Sequence, residues 1–236
     1  MIGRPVRDPR TGRPGTGTPG VVFRIQKRYP RPEQVPKSET PEVAVSRIAP
    51  LMSPLDPDVE AVLRPVTPDG VEPIALFRML GRNLRMADAM TVWGGYELGR
   101  ELSLSRRQRE LVILRTCARC GSEYEWGVHV AYFVPKVGLT AGQVTSLTHG
   151  AATDACWTDD RERLLIEAAD ALHDTSDIAD HLWDRLAAAF DDAQLLDLLA
   201  LAGWYHAVSY LARATRLAGE DWAPAFADVA PPPGTN

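Results

Sequence analysis

Two residues have the chemistry to move a proton. The run Glu110-Leu-Val-Ile-Leu-Arg-Thr-Cys117-Ala-Arg-Cys120-Gly-Ser122-Glu-Tyr-Glu125-Trp-Gly-Val-His129 sets a carboxylate and an imidazole on two successive helices joined by a glycine turn. Glu110 shares a helix face with Ile113, Leu114 and Cys117 by the i, i+3, i+4, i+7 rule, which turns part of its side chain toward an apolar interior. Burial raises a carboxyl pKa toward neutrality, where the group serves as acid or base. The bland alternative for Glu110 is a salt bridge to Arg106 or Arg107, or to a neighbouring helix. His129 lies one turn after Glu125 and Trp126 and one turn before Phe133. It is either a packed core histidine or a proton donor to a carbanion or enolate, or it orients a substrate carboxylate.

Around this pair, Ser122 and Glu125 read as reciprocal helix caps and as pocket residues. Tyr124, Trp126, Trp93, Tyr205 and His206 are candidates to line a pocket for a planar or unsaturated ligand, although aromatics at helical spacing are commonly plain core. A CxxC pair, Cys117 and Cys120, raises a redox alternative. Both thiols fall at the C-terminal end of a helix, where the dipole disfavours a thiolate, while Arg115 and Arg119 could offset this. No second CxxC or paired histidine lies at ligand spacing, so no metal is expected, and Cys156 reads as incidental.

The elements that position these residues are helices. Ala75 to Gly99 carries apolar residues at helical spacing, interrupted by Gly81, so one or two helices fit. Ser105 with Gln108 is a capping box opening a helix to about Arg119, ended by Gly121. Ser122 with Glu125 reads as a second box, opening a helix to Val137 that stops at Gly138, and Thr140 with Gln143 opens a third, short one. Thr158, Asp159 and Asp160 begin a stretch to His173, Ser176 or Asp177 caps a segment to Phe190, and Ala193 to Leu217 is long and strongly apolar. No strand period persists, and neither a P-loop nor a dinucleotide fingerprint is present. The expected fold is all-α, a helical bundle.

Fourteen of the nineteen prolines precede Ile74, and residues 1–40 carry nine Lys/Arg against three Asp/Glu. The chain is therefore divided into a basic, proline-rich, largely extended arm (1–72), a helical domain (73–220) and a short C-terminal tail (221–236). The arm is a solvated extension, or it lies across an acidic neighbouring subunit. The formal net charge of −5 argues against a nucleic-acid partner. The stretch Leu195 to Leu211, interrupted by Asp197 and His206, falls short of a bilayer span and implies no membrane anchor. Three cysteines cannot form a closed set of bridges, and the first residues lack a secretory apolar core, which together fit a cytoplasmic location.

Residues 105–139 resemble the core repeat of the carboxymuconolactone decarboxylase and alkylhydroperoxidase-like superfamily, and 75–217 fits its helical pattern. In the peroxidase branch a Glu is followed twelve residues later by Cys-x-x-Cys-x-x-x-His. Glu110 and His129 match that frame, but Ser122 and Glu125 occupy its cysteine positions. A serine hydroxyl and a carboxylate cannot attack an O–O bond and close a disulfide. The resemblance thus implies a cofactor-independent decarboxylase or lyase acting on a small carboxylated lactone or β-keto acid, with Glu110 and His129 as catalytic residues. A substrate with its own carbonyl sink needs no cofactor. The alternatives are a thiol peroxidase or disulfide oxidoreductase using Cys117 and Cys120, and a non-catalytic ligand-binding member. The resemblance also implies a homo-oligomer, a trimer or hexamer.

Overall fold

Local caps set the helix starts. The computed structural model describes residues 46–229, and among these every regular element is helical. Helices α1 (Pro57–Leu63), α2 (Ala75–Leu80), α3 (Leu84–Glu97), α4 (Arg106–Arg119), α5 (Glu123–Tyr132), α6 (Val134–Val137), α7 (Ala141–His149), α8 (Asp160–Thr175), α9 (Asp180–Ala189) and α10 (Asp192–Ala214) follow in chain order. Complete capping boxes open α4 (Ser105 with Gln108) and α7 (Thr140 with Gln143), and a third opens α10 (Asp191 with Gln194). In each, two otherwise orphaned backbone N–H groups find acceptors.

Helix α4 is the hub. Leu111, Val112, Ile113 and Leu114 are all fully buried, because α5, α7, α8 and α10 pack around it on every side. A helical turn that is apolar all round, as Leu111 to Leu114 is, must be enclosed in this way. It ends in a Schellman motif: Gly121 takes the left-handed conformation (φ 63°), and the N–H groups of Gly121 and Ser122 donate to the carbonyls of Ala118 and Cys117 at 2.9 and 2.8 Å. Such a reversal favours glycine. It delivers α5 back along α4 and so brings His129 level with Glu110.

Helix α10, with 23 residues, is long and apolar enough to cross a membrane by length and composition. In the fold it is a core helix, burying Leu195, Leu198, Leu201, Ala202, Trp204, Tyr205, Val208 and Ala212 against α3, α4, α5, α8 and α9.

Several sequence expectations are corrected. Ser122 is the N-cap of α5 but makes no side-chain cap bond, so the Ser122/Glu125 capping box does not form. The helix expected to run to Val137 breaks at Phe133, because Pro135 has no N–H to continue the ladder; the chain restarts as α6 and does stop at Gly138, at φ 68°. Neither Ser176 nor Asp177 N-caps the next helix: Ser176 is the left-handed C-cap that ends α8 (φ 58°), and α9 starts after Ala179 without a side-chain cap. Helical structure also begins before the expected boundary at residue 73. Asp56 caps α1, which buries Val59 and Leu63 against α3, and the Arg47 N–H donates to the Thr215 carbonyl at 2.7 Å. The basic segment 1–40 and the last residues of the tail lie outside the described residues.

The start of the tail is a strap over α5. The Phe226 N–H donates to Glu123 Oε2 at 2.7 Å, and the Phe226 ring packs on Trp126 at 5.0 Å between centroids. Gly127 makes this approach possible, since a Cβ there would collide with the Pro224 carbonyl oxygen.

Candidate functional site

Glu110 and His129 meet in the core. Glu110 is fully buried and His129 is 2% exposed, and His129 Nδ1–H donates to Glu110 Oε2 at 2.7 Å. The other carboxylate oxygen, Oε1, accepts from Arg109 Nε and Nη2 at 2.9 and 2.8 Å. Arg109 is itself buried, donates through Nη1 to the Leu98 carbonyl at 2.9 Å, and sits 5.5 Å from the centre of the Phe133 ring. Neither Arg106 nor Arg107 pairs with Glu110: Arg107 bridges to Glu162 at 2.5 Å. A buried carboxylate held by a two-pronged guanidinium and an imidazole has its charge matched and its lone pairs occupied.

The second imidazole nitrogen faces different company. His129 Nε2 lies 3.1 Å from the Tyr205 hydroxyl and 3.4 Å from Glu125 Oε1. Phe133 stacks on the ring at 4.8 Å, and Tyr205 meets it edge-on at 5.2 Å. Burial opposes a charge on His129, but the Glu110 carboxylate, helped by Glu125, outweighs it and pushes the imidazole up to about 9. At neutral pH the ring is therefore an imidazolium with Nδ1–H fixed on Glu110 and Nε2–H available. Burial first, and then the negative charges of Glu125 and Glu110, hold the Tyr205 phenol well above its ordinary range, so Tyr205 stays neutral.

Ser122, Glu125 and His129 share one face of α5 at i, i+3 and i+7. Ser122 Oγ and Glu125 Oε2 are buried without a hydrogen-bond partner. Orphaned buried oxygens are uncommon and mark a place that a water or ligand group can satisfy. Glu110 and His129 touch each other directly, and the cavities around Leu63 and around Glu123 among the described residues are lined by neither.

The remaining expected pocket residues go elsewhere. The Tyr124 hydroxyl donates to Glu220 Oε1 at 2.6 Å and accepts from the Leu76 N–H at 3.0 Å, tying α5 to α2 and to the chain beyond α10. Trp93 donates to Glu97 at 2.6 Å and packs on Trp204 at 5.0 Å. Trp126 is fully buried beneath Phe226. His206 turns to His173, at 3.2 Å. Cys117 and Cys120 are both free and buried, and burial raises both thiols above their ordinary value. Sequence reasoning missed Arg109, which adjoins Glu110 in the chain; neighbours at i and i+1 normally diverge on a helix, so its spacing gave no signal.

The Carboxymuconolactone decarboxylase family profile matches residues 85–170, which hold α4, α5, Glu110 and His129. Residues 85–170 are thus similar to the carboxymuconolactone decarboxylase family, and the helical fold is that of AhpD-like proteins. Two solved structures share this fold. An uncharacterized peroxidase-related protein from Silicibacter sp. TM1040 superposes with a TM-score of 0.60 at 18% identity, covering 77% of this chain and 96% of that one. A protein of unknown function from Agrobacterium tumefaciens, itself described as an AhpD-type antioxidant defence protein, superposes with a TM-score of 0.54 at 17% identity, covering 60% of this chain and 94% of that one. No curated protein matches the chain. Within the superfamily frame, the positions of the peroxidase dithiol are here the unpaired Ser122 hydroxyl and the Glu125 carboxylate.

Proposed function

We propose that the domain is a cofactor-independent lyase that decarboxylates a small carboxylated lactone or β-keto acid by acid–base chemistry, with Glu110 and His129 as its catalytic pair. The observation that carries this reading is the buried sequence Arg109, Glu110, His129, Tyr205, in which one imidazole nitrogen is fixed on a carboxylate and the other faces a neutral hydroxyl. As the bond to the departing CO₂ breaks, its electron pair moves into the substrate carbonyl and forms an enolate. His129 Nε2–H then delivers its proton to the enolate carbon, Glu110 holds the ring through Nδ1, and solvent restores the proton. Ser122 Oγ and Glu125 Oε2, two of the buried oxygens without hydrogen-bond partners among the described residues, share the His129 face of α5 and are the groups a bound substrate would engage. Because His129 is almost wholly enclosed, entry requires the packing over α5 to open.

The thiol mechanism has less support. It needs an accessible thiolate, whereas Cys117 is fully buried and its thiol is held up chiefly by burial. The test is CO₂ release from a panel of β-keto acids and carboxylated lactones. Turnover should fall by about 10²–10⁴ in Glu110→Gln and His129→Asn and persist in Cys120→Ser. Absence of CO₂ release, with reductant-dependent peroxide consumption that Cys120→Ser abolishes, overturns the proposal in favour of a peroxidase.

Assembly belongs to the same reading. Val92, Trp93 and Tyr96 on α3 and Leu196 and Tyr210 on α10 are large apolar side chains left exposed, a combination that fits a face covered by a second copy of the chain. Light scattering of the full chain should give a mass of three or six protomers; a monomer would remove this part of the proposal.

A further inference from the structure

A second cluster lies outside the acid–base site. Cys120 is the C-cap of α4, His173 lies in the last turn of α8, and His206 sits within α10. Three helices that pack on one another therefore bring together a thiol and two imidazoles. Cys120 Sγ lies 3.7 Å from His173 Nδ1, His173 Nδ1 lies 3.2 Å from His206 Nε2, and all three atoms fall within 4.8 Å of one another.

Two of these separations have the lengths of coordination-tetrahedron edges, and the third, from Cys120 Sγ to His206 Nε2, is within 4.8 Å. With Zn–N bonds of about 2.05 Å and a Zn–S bond of about 2.3 Å, tetrahedral geometry sets N···N at about 3.3 Å and S···N at about 3.6 Å. The observed 3.2 and 3.7 Å match both. The tautomer is also set. His206 Nδ1–H donates to the Ala202 carbonyl at 2.8 Å, which leaves Nε2 with its lone pair directed at the cluster, and an outer-shell bond of this kind is what orients a metal-binding histidine.

The surroundings suit a cation. Cys120 and His173 stand at the C-terminal ends of α4 and α8, where the helix dipoles are negative. Of the nearby guanidinium groups, Arg119 is paired with Asp174 and lies 3.5 Å from Asp170, and Arg213 donates to the Cys120 carbonyl at 2.6 Å.

We propose that Cys120, His173 and His206 form a binding site for a borderline-soft divalent transition metal, of which zinc is the model. On binding, the Cys120 S–H bond gives its proton to solvent and the sulfur pair forms the metal–sulfur bond; no electron is transferred. Three protein ligands leave a fourth position for water, the half-buried setting of the two histidines giving solvent access. A bound ion staples the ends of α4 and α8 to α10 two residues before Ser122, and so stiffens the turn that aims α5.

The full chain, stripped of metal by a chelator, is titrated with cobalt(II) chloride and followed by absorption, then back-titrated with zinc chloride. One equivalent of cobalt should produce a thiolate-to-metal charge-transfer band with the intense visible bands of a four-coordinate ion, and zinc should abolish them. Cys120→Ser should remove the charge-transfer band, His173→Ala and His206→Ala should weaken binding by at least about 100-fold, and Cys156→Ser should change nothing. A wild-type spectrum without the charge-transfer band, or a band that survives Cys120→Ser, overturns the proposal. Thermal unfolding gives a second readout that does not need the cysteine variant to fold: zinc should raise the Tm of the wild type and not that of His173→Ala. Equal stabilisation of both would also overturn it.

Discussion

Replacing Glu110 by Gln removes the charge that keeps His129 protonated while leaving the site's shape nearly intact. The imidazole is pushed up from its ordinary 6.5 to about 9 although burial works against it. The net displacement, after burial has opposed it, means that the native site as a whole favours the protonated ring by roughly 3 kcal/mol over water. Because the native pKa exceeds the unfolded one, this contribution is fully present below about pH 6.5 and is lost as the pH rises through about 9. In Glu110→Gln, burial remains and only Glu125 is left to support the charge, so His129 should titrate well below its native value. Stability at pH 6 should fall by about 3–5 kcal/mol, the usual cost of breaking a buried pair. Long-range nitrogen–proton NMR on labelled imidazole gives the titration directly, and urea unfolding at pH 6, 7.5 and 9.5 gives the stability. Wild-type stability should drop across that series, and the variant's should not. A wild-type His129 that titrates at or below 6.5, or a variant whose titration overlays it, refutes the reasoning.

Tyr205→Phe removes the hydroxyl 3.1 Å from His129 Nε2 and should lower kcat on the best panel substrate by about ten- to a hundredfold, the worth of a hydrogen bond to a charged group. KM and thermal stability should change little, and a large fall in Tm with unchanged kcat would make the residue structural only. Gly127→Ala forces a methyl group into the Pro224 carbonyl. It should cost about 1–3 kcal/mol and free the segment around Phe226 for proteolysis, whereas an unchanged cleavage pattern would mean that the strap does not depend on this contact.

What the sequence made legible was local. The Ser105/Gln108 and Thr140/Gln143 boxes, the break at Gly81 and the reversal at Gly121 are set by residues within a few positions of one another, and each stands in the fold. The Ser122/Glu125 box has the same spacing but fails, because Glu125 turns to His129 Nε2, a partner only tertiary packing supplies. The Glu110–His129 contact was legible because the glycine turn folds α5 back on α4. Arg109 and the Cys120–His173–His206 cluster were not. His173 lies more than fifty residues from Cys120 in the chain, and no spacing rule links three helices that meet only in the bundle. His206 shows the same limit: next to Tyr205 in sequence, it projects about 100° around the helix and so belongs to a different cluster.

The most direct test of the acid–base account is the pH dependence of kcat for CO₂ release from the best panel substrate. A descending limb is expected near pH 9, where His129 loses its proton, moved to lower pH by Glu110→Gln and left in place by Cys120→Ser. A limb that follows the cysteine and ignores Glu110 would contradict it.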